Sequence, residues 1–417
     1  MTSRERVLCA LDHRQPDRVP VDFGATSVTG ISASIVYKLR RAFKLPEHPV
    51  KVIEPYQMLG EVEDDLREKL GSDFAFVLPY TGLFGYKLEG WKPWTLFDGT
   101  PVLVPALFNT KSEASGGIYQ YPEGDMSVPP SGFMPKDGKY FDSIIRQGPF
   151  DDENPSVEDN LEEFTVISDE ALRHFQNETE KIRKNTDLAV IVSTPGTGLG
   201  DIALVPGPFM KNPKGIRDVE EWYISLAGRK GFIKELFDRQ TQIALKNLAL
   251  YKEAMGGNID VVMLCGTDLG CQNGPMCGTA AFGELYFPYY KRMTDWIHGN
   301  TKWKVFKHCC GSIKPLIPKL IEAGFDILNP VQNSAQDMDA RALKNEFGGR
   351  ITFWGGGVDT QKTLPFGSPD EVYKEVTERI RVYHQSGGFV FNTIHNTQPG
   401  TPVENFLAMI EAVKQFR

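Results

Sequence analysis

Residues 304–332, KVFKHCCGSIKPLIPKLIEAGFDILNPVQ, constrain the fold more than any other stretch of the chain. A short apolar run at Val305 and Phe306 stops at His308, Cys309 and Cys310, and Gly311 and Ser312 make a turn. Residues 313–323 have helical spacing, with Pro315 tolerated in the first turn and Gly324 at the end. A second apolar run follows at 327–331. Strand, helix and strand within about 30 residues is the unit that builds parallel sheets. Such sheets put their chemistry where strands end. Side chains two apart in an extended segment point the same way, so His308 and Cys310 can meet one ion or one substrate.

The same rhythm recurs along the chain. A short helix over 3–12, capped by Ser3, comes first. Apolar runs then centre near residues 21, 76, 191, 263, 306, 329, 352 and 390. Helical patterns over 32–45, 56–70, 169–186, 219–227, 230–255, 280–298, 340–347, 369–384 and 403–416 lie among them. Eight such strand positions make an α/β fold of the (β/α)8 barrel type the economical expectation, in one domain spanning 1–417. A doubly wound open sheet is the alternative, because strand order is not visible in sequence. From 80 to 146 the texture changes, with dense Gly, Pro, Tyr and Trp and turn signals at Asp98-Gly99, Glu123-Gly124 and Asp137-Gly138. This predicts a small antiparallel β excursion, which with an acidic connector over 151–163 occupies 80–165 within the barrel. No Gly-x-Gly-x-x-Gly or Walker loop follows a strand.

Composition excludes several function classes. The 417 residues carry a net charge of −8, which argues against nucleic acid as a partner. Nothing approaches the ~18 consecutive apolar residues of a membrane span. The N-terminus lacks the apolar core of a secretory signal, so the expected location is the cytoplasm. The six cysteines, at 9, 265, 271, 277, 309 and 310, lie mostly near strand ends. That placement suits thiol or metal chemistry in a reducing compartment better than disulfides.

In a barrel, the loops after all strands face one mouth. The polar residues just past the later strands are Asp268, Cys271 and Gln272; His308, Cys309 and Cys310; Asn329 and Gln332; Asp359 and Gln361; and His395, Asn396 and Gln398. His308, Cys310 and His395 are the candidate metal ligands, because imidazole nitrogen with thiolate sulfur suits Zn2+ above the harder cations. Three protein ligands with an open fourth position would make the site catalytic. Each residue also has a plainer reading. His308 to Cys310 can be a buried strand end with inert thiols, and His395 a hydrogen-bonded loop histidine. Asp268 can hold a hydroxyl or a backbone amide, and Cys265, Cys271 and Cys277 can be packing. Tyr80, Phe84, Trp91 and Trp94 form either a pocket wall or ordinary core. Residues 355–357 let backbone approach something closely or make a plain turn.

The segments TDLG (267–270), HCCGS (308–312), AGFDILNPVQ (323–332), GGVDTQ (356–361) and HNTQPGTPVEN (395–405) resemble the uroporphyrinogen decarboxylase-like superfamily, and most closely its cobalamin-dependent methyltransferases. The resemblance implies a (β/α)8 barrel. True uroporphyrinogen decarboxylases carry an Arg-Gln-Ala-Gly-Arg stretch near the N-terminus; this chain has Asp22-Phe-Gly-Ala-Thr26 in that area. Its motif loops are also nearly free of Arg and Lys, which suits a substrate of many carboxylates badly. The methyltransferase branch binds zinc with a His-x-Cys pair, matched by His308 and Cys310, and a distant Cys, where this chain has His395.

The expected activity is transfer of a methyl group from a small O-methyl donor, such as an aryl methyl ether, to the cobalt of a partner corrinoid protein. Asp268, Gln332 and Asp359 are the expected catalytic residues. Asp268 would donate a proton or orient substrate, while Gln332 and Asp359, with Gln361, order the groups around it. Gly356, Gly357 and Asn396 are the expected corrinoid contacts, and a homodimer is a possible assembly. The alternatives are methyl transfer from methylcobalamin to a thiol or tetrahydrofolate, a decarboxylase, and a barrel that carries a corrinoid without catalysis.

Overall fold

The computed structural model describes residues 1–161 and 164–416, and not the side chain of Cys265. Seven parallel strands form one curled sheet. Their spatial order is Phe389–Val390, Thr352–Trp354, Ile327–Asn329, Lys304–His308, Val261–Cys265, Ala189–Ser193 and Phe74–Ala75. The eighth place is taken by residues 19–23. Val21 makes a parallel bridge to Phe391 on one side, and its carbonyl accepts the Asp73 N–H at 2.7 Å on the other. The expected (β/α)8 ring is therefore present, with its first stave reduced to a single bridge. Side chains replace the missing ladder there. The Asp73 carboxylate accepts the Val21 N–H at 3.0 Å, and Ser72 Oγ accepts that of Phe23 at 3.3 Å.

Period-two alternation sends Ala189, Ile191, Val261, Phe306, Ile327, Trp354 and Val390 into the barrel, where they form one buried cluster with Phe74. Val7 and Leu11 join it from the helix Ser3–Leu11, which plugs the end opposite the strand tips. The other faces of the strands pack against the surrounding helices in the larger core. Asp73, fully buried, ties this first segment down. It accepts from Arg6 at 2.8 Å and from Arg18 at 2.7 and 2.9 Å.

Several expectations need correction. The first helix is capped by Thr2, in a reciprocal capping box with Glu5, and not by Ser3. Of the helix expected over 56–70, only Asp64–Leu70 forms, closed by Gly71 in the left-handed conformation. Residues before it make the strands Val50–Glu54 and Leu59–Gly60 instead. Pro55 and the Glu54 carboxylate, which accepts the Tyr56 and Gln57 N–H groups, hold a turn between them. Pro288 divides the helix expected over 280–298 into Thr279–Leu285 and Phe287–Asn300. Pro315 and Pro318 shorten the next one to Ile317–Glu322 after a 3-10 turn.

The β-rich region is two sheets. Thr110–Ser112, Ile118–Gln120, Gly132–Met134 and Asp142–Ser143 pair antiparallel throughout. The other sheet takes Lys92–Thr95 and Pro101–Val104 but also recruits Val50–Glu54, in parallel, from before residue 80. The acidic connector runs into Glu162 and Glu163, outside the described residues. Among the described residues, no helix is long and apolar enough to cross a membrane.

Candidate functional site

The strand Lys304–His308 ends inside the ring, and its last residue and the next but one face the mouth. Cys310 Sγ lies 3.4 Å from His308 Nε2. Cys309 points the other way, 2% exposed, and its sulfur accepts the Leu269 N–H at 3.1 Å. The neighbouring strand supplies Asn329, paired in register with His308. Asn329 Nδ2 donates to the Trp354 carbonyl at 2.9 Å, which turns its Oδ1 toward the imidazole. His308 Nδ1 therefore donates to Asn329 Oδ1, at 2.6 Å, and Nε2 carries a lone pair aimed at the thiol.

His395 arrives from the loop after Phe389–Val390. Its φ of 68° places a non-glycine residue in the left-handed region, and the Thr393 hydroxyl donates to its carbonyl. The rings of His308 and His395 stand edge to face with centroids 5.2 Å apart. Ligand atoms of His308, Cys310 and His395 all lie within 4.8 Å of one another. Burial, with His308 alongside, pushes the His395 imidazole down to about 3, so it is neutral and able to donate a lone pair. Burial, with Asp268 and Cys309 nearby, pushes the Cys310 thiol well above its ordinary range.

This donor set fits zinc. Sulfur at about 2.3 Å and nitrogen at about 2.0 Å from one tetrahedral ion sit about 3.5 Å apart, and the observed Cys310 to His308 separation is 3.4 Å. The buried ammonium of Lys307 lies beneath, donating to the carbonyls of Thr267 at 2.5 Å and His308 at 2.6 Å. Asp268 stands beside the cluster: Oδ1 accepts the Cys310 N–H at 2.6 Å and is 3.8 Å from His308 Nε2.

His308, His395 and Asp268 line a cavity of about 1100 Å³ at the barrel mouth. It is mostly apolar, with Trp222, Phe164, Phe209 and Met263 among its walls. Thr81, Gly82, Leu83, Lys139 and Tyr140, from the β-rich region, also line it. Four acids that sequence reasoning missed line this space: Asp201 and Glu54, both half-buried, and Glu123 and Asp142, both exposed. Burial raises the Asp201 carboxyl, against the Ala203 N–H that it accepts, and the charge of Asp268 adds to the rise. Asp201 follows the strand Ala189–Ser193 and obeys the same strand-end rule as the residues after the later strands. Glu54 lies outside the ring sequence altogether, on the mixed sheet.

Other expected site residues are engaged elsewhere. Gln332 is buried, and its Oε1 accepts the Gly311 N–H at 2.8 Å, fixing the turn after Cys310. Asp359 accepts the Gln361 N–H at 2.7 Å and does not line the cavity. Gly356 and Gly357 are buried, and a Cβ on them would meet Asn333 and Tyr383, or Phe391 and the Asn392 carbonyl. Their small size serves packing within the chain, so neither faces the cavity where a corrinoid could be met. Asn396 is fully buried too. Its Nδ2 donates to the Ser27 carbonyl and to Gln57 Oε1, both at 2.8 Å, and its Oδ1 accepts the Gly30 N–H at 2.6 Å. Every polar atom of that side chain is used to join the last loop to the first. Phe84 packs with Tyr56, Tyr86 and Phe141, and Trp94 with Phe108, so these aromatics form core and not a pocket wall. Cys271 is exposed, and Cys9, Cys277 and Cys310 are likewise free thiols.

The family model described as uroporphyrinogen decarboxylase (URO-D) matches residues 211–416. That span includes Asp268 and all three candidate metal ligands. The uroporphyrinogen decarboxylase of Coxiella burnetii, in each of three strains, is 28% identical over 78 residues, 19% of this chain and 21% of the relative. The chain thus matches about a fifth of the length of these curated relatives. Among solved structures, a methyltransferase from Methanosarcina mazei is similar over 100% of this chain and 99% of its own, with a TM-score of 0.53 and 16% identity. That likeness is one of fold.

Proposed function

We propose that this chain, whose residues 211–416 match the uroporphyrinogen decarboxylase (URO-D) family model and whose fold is like that of a methyltransferase from Methanosarcina mazei, is a methyltransferase of the uroporphyrinogen decarboxylase-like superfamily. It takes a methyl group from a small O-methyl donor, an aryl methyl ether above all, and passes it to the corrinoid of a partner protein. His308, Cys310 and His395 would hold a zinc ion. The observation that carries this reading is the convergence of those three donor atoms within 4.8 Å, with His308 and His395 lining a cavity. The chemistry supplied from outside the chain is a Lewis acid for the departing oxygen and a nucleophilic cobalt for the methyl carbon.

The chain's own groups do the rest. Asn329 holds His308 in the tautomer whose Nε2 is free to ligate. Asp268, 3.8 Å from that nitrogen, stands where it can orient the ether oxygen or return a proton to it. Gln332 fixes the turn that presents Cys310. The apolar walls exclude water from the reacting groups, and about 1100 Å³ exceeds what a small methyl ether fills. The cavity suits a substrate of many carboxylates poorly. Its basic side chains are Lys139, exposed at the mouth, and Arg217, whose Nε and Nη2 are bound to the Lys214 and Asp159 carbonyls.

Metal analysis of the purified chain and of His308→Ala and Cys310→Ala tests the reading, together with methyl transfer to a reduced corrinoid protein. Zinc in the parent, its loss from both variants and loss of transfer with it are expected. A zinc-free parent, with both variants fully active, overturns it.

A further inference from the structure

The cavity has a second polar point, on a different wall from the metal cluster. Glu54 ends the strand Val50–Glu54 and lines the space with Ser27, Tyr56 and Gln57. Oε1 accepts the Tyr56 N–H at 3.0 Å, and Oε2 accepts the Gln57 N–H at 2.7 Å. Each carboxylate oxygen has two lone pairs, so acceptor capacity remains on both. The position is set by backbone, not by a mobile partner. Gln57 Oε1 in turn accepts from Asn396, the residue next to His395, so a short chain of contacts ties this carboxylate to the cluster.

Nothing basic answers this acid among the described residues: Glu54 takes part in no ion pair. Its carboxyl, pushed up by burial to about 7, pays for its sheltered place by holding a proton more readily than usual. Asp201 and Asp268 face the same interior. Lys139 is exposed at the mouth, and Arg217 is committed to backbone carbonyls. At Glu54 the space thus offers a fixed acceptor with no basic partner, and asks for a donor.

We propose, resting on the methyltransferase reading above, that Glu54 is a specificity-determining residue of this site. It accepts a hydrogen bond from a hydroxyl on the methyl donor, so the preferred donors are uncharged methoxyphenols, and donors bearing a carboxylate are turned away. A buried acceptor built to meet a hydroxyl rejects an analogue lacking it, because the acceptor is left unpaired after losing water. A ligand carboxylate placed against Glu54 adds like-charge repulsion, and among the described residues no basic side chain pairs with Glu54 to relieve it.

The test is equilibrium binding to the full chain by calorimetry, with no acceptor protein present. The ligands are 2-methoxyphenol, methoxybenzene and 4-methoxybenzoate. The phenol is expected to bind at least about tenfold more tightly than either of the others. Glu54→Gln is expected to narrow the gap between phenol and methoxybenzene. Equal binding of phenol and methoxybenzene, tight binding of the benzoate, or no binding of any of the three overturns the proposal, and the unsubstituted chain alone suffices for that comparison. A Glu54→Gln variant that keeps the full phenol preference overturns it as well. A chain that selects the phenol yet passes no methyl to a reduced corrinoid protein refutes the methyltransferase reading and leaves the selectivity standing.

Discussion

Asn329 Oδ1 lies 2.6 Å from His308 Nδ1, and the opposite end of the same amide is held 2.9 Å from the Trp354 carbonyl. Trp354 is itself anchored, its indole donating to the buried Asp22 carboxylate at 2.9 Å. A fully buried relay therefore decides which imidazole nitrogen faces the mouth. Asn329→Ala removes the acceptor and strands the Nδ1 proton. Zinc affinity is expected to fall by about 10–100-fold, read by competition with a coloured chelator. Asn329→Asp, which keeps an acceptor, should lose less. Unchanged affinity in the alanine variant would refute this role for Asn329.

Glu54 also predicts a pH dependence of stability. Its carboxyl stands at about 7 in the folded chain, against an ordinary value of 4.5. The folded state therefore binds more protons than the unfolded state between these values. Stability from this group is complete below about pH 4.5 and declines as pH rises toward 7. Glu54→Gln removes the decline, so its stability relative to the parent should climb with pH across that window and level off above it. The slope cannot exceed about 1.4 kcal/mol per pH unit. Urea unfolding at a series of pH values measures it, and a difference independent of pH would contradict the assignment.

Asp73 joins the ring's first stave to the strand Phe74–Ala75 that follows it. Asp73→Ala leaves the Arg6 guanidinium, 8% exposed, without one of its carboxylates and the Val21 N–H without its acceptor. Removing one partner of a buried ion pair costs roughly 3–5 kcal/mol. The urea midpoint should fall accordingly with the m-value unchanged, whereas a loss below about 1 kcal/mol would show that the arginines find other partners.

Gly311 follows Cys310 with φ of 85°, and a Cβ there would fall on the backbone of Gly270 and Cys271. Its N–H is the one that Gln332 accepts. Gly311→Ala must therefore move either the turn carrying Cys310 or the hairpin Gly270–Pro275. About 1–3 kcal/mol of stability is expected to go, and zinc content with it. Full zinc retention with an unshifted melting temperature would show that the turn yields freely.

The barrel was legible because its strands are short apolar runs buried on both sides, a pattern that sequence carries directly. The strands Ala189–Ser193 and Val261–Cys265 and the helix Lys230–Met255 form where periodicity placed them. Val50–Glu54 was not legible, since Pro55 and a side-chain acceptor outweigh the helical spacing around them. Within the site, spacing of two brought His308 and Cys310 together, and strand-end position brought His395. Position past a strand does not say which way a side chain turns, and so Asp359, Asn396, Gly356 and Gly357 face protein and not the cavity. Glu54 enters only because a sheet remote in sequence is laid across the mouth, an apposition that no local pattern encodes.

The bridge between Val21 and Phe391, with the Asn392 amide donating to the Asp22 carbonyl across 370 positions, has a consequence for synthesis on the ribosome. Residues 19–23 are made some 370 positions before the partner they pair with. Until that partner appears, Phe74–Ala75 and the strands after it can assemble only as an open arc, with the seam beside Val21 exposed. Newly made chains are therefore most in need of chaperone protection along that seam, for as long as the intervening 370 positions take to be made.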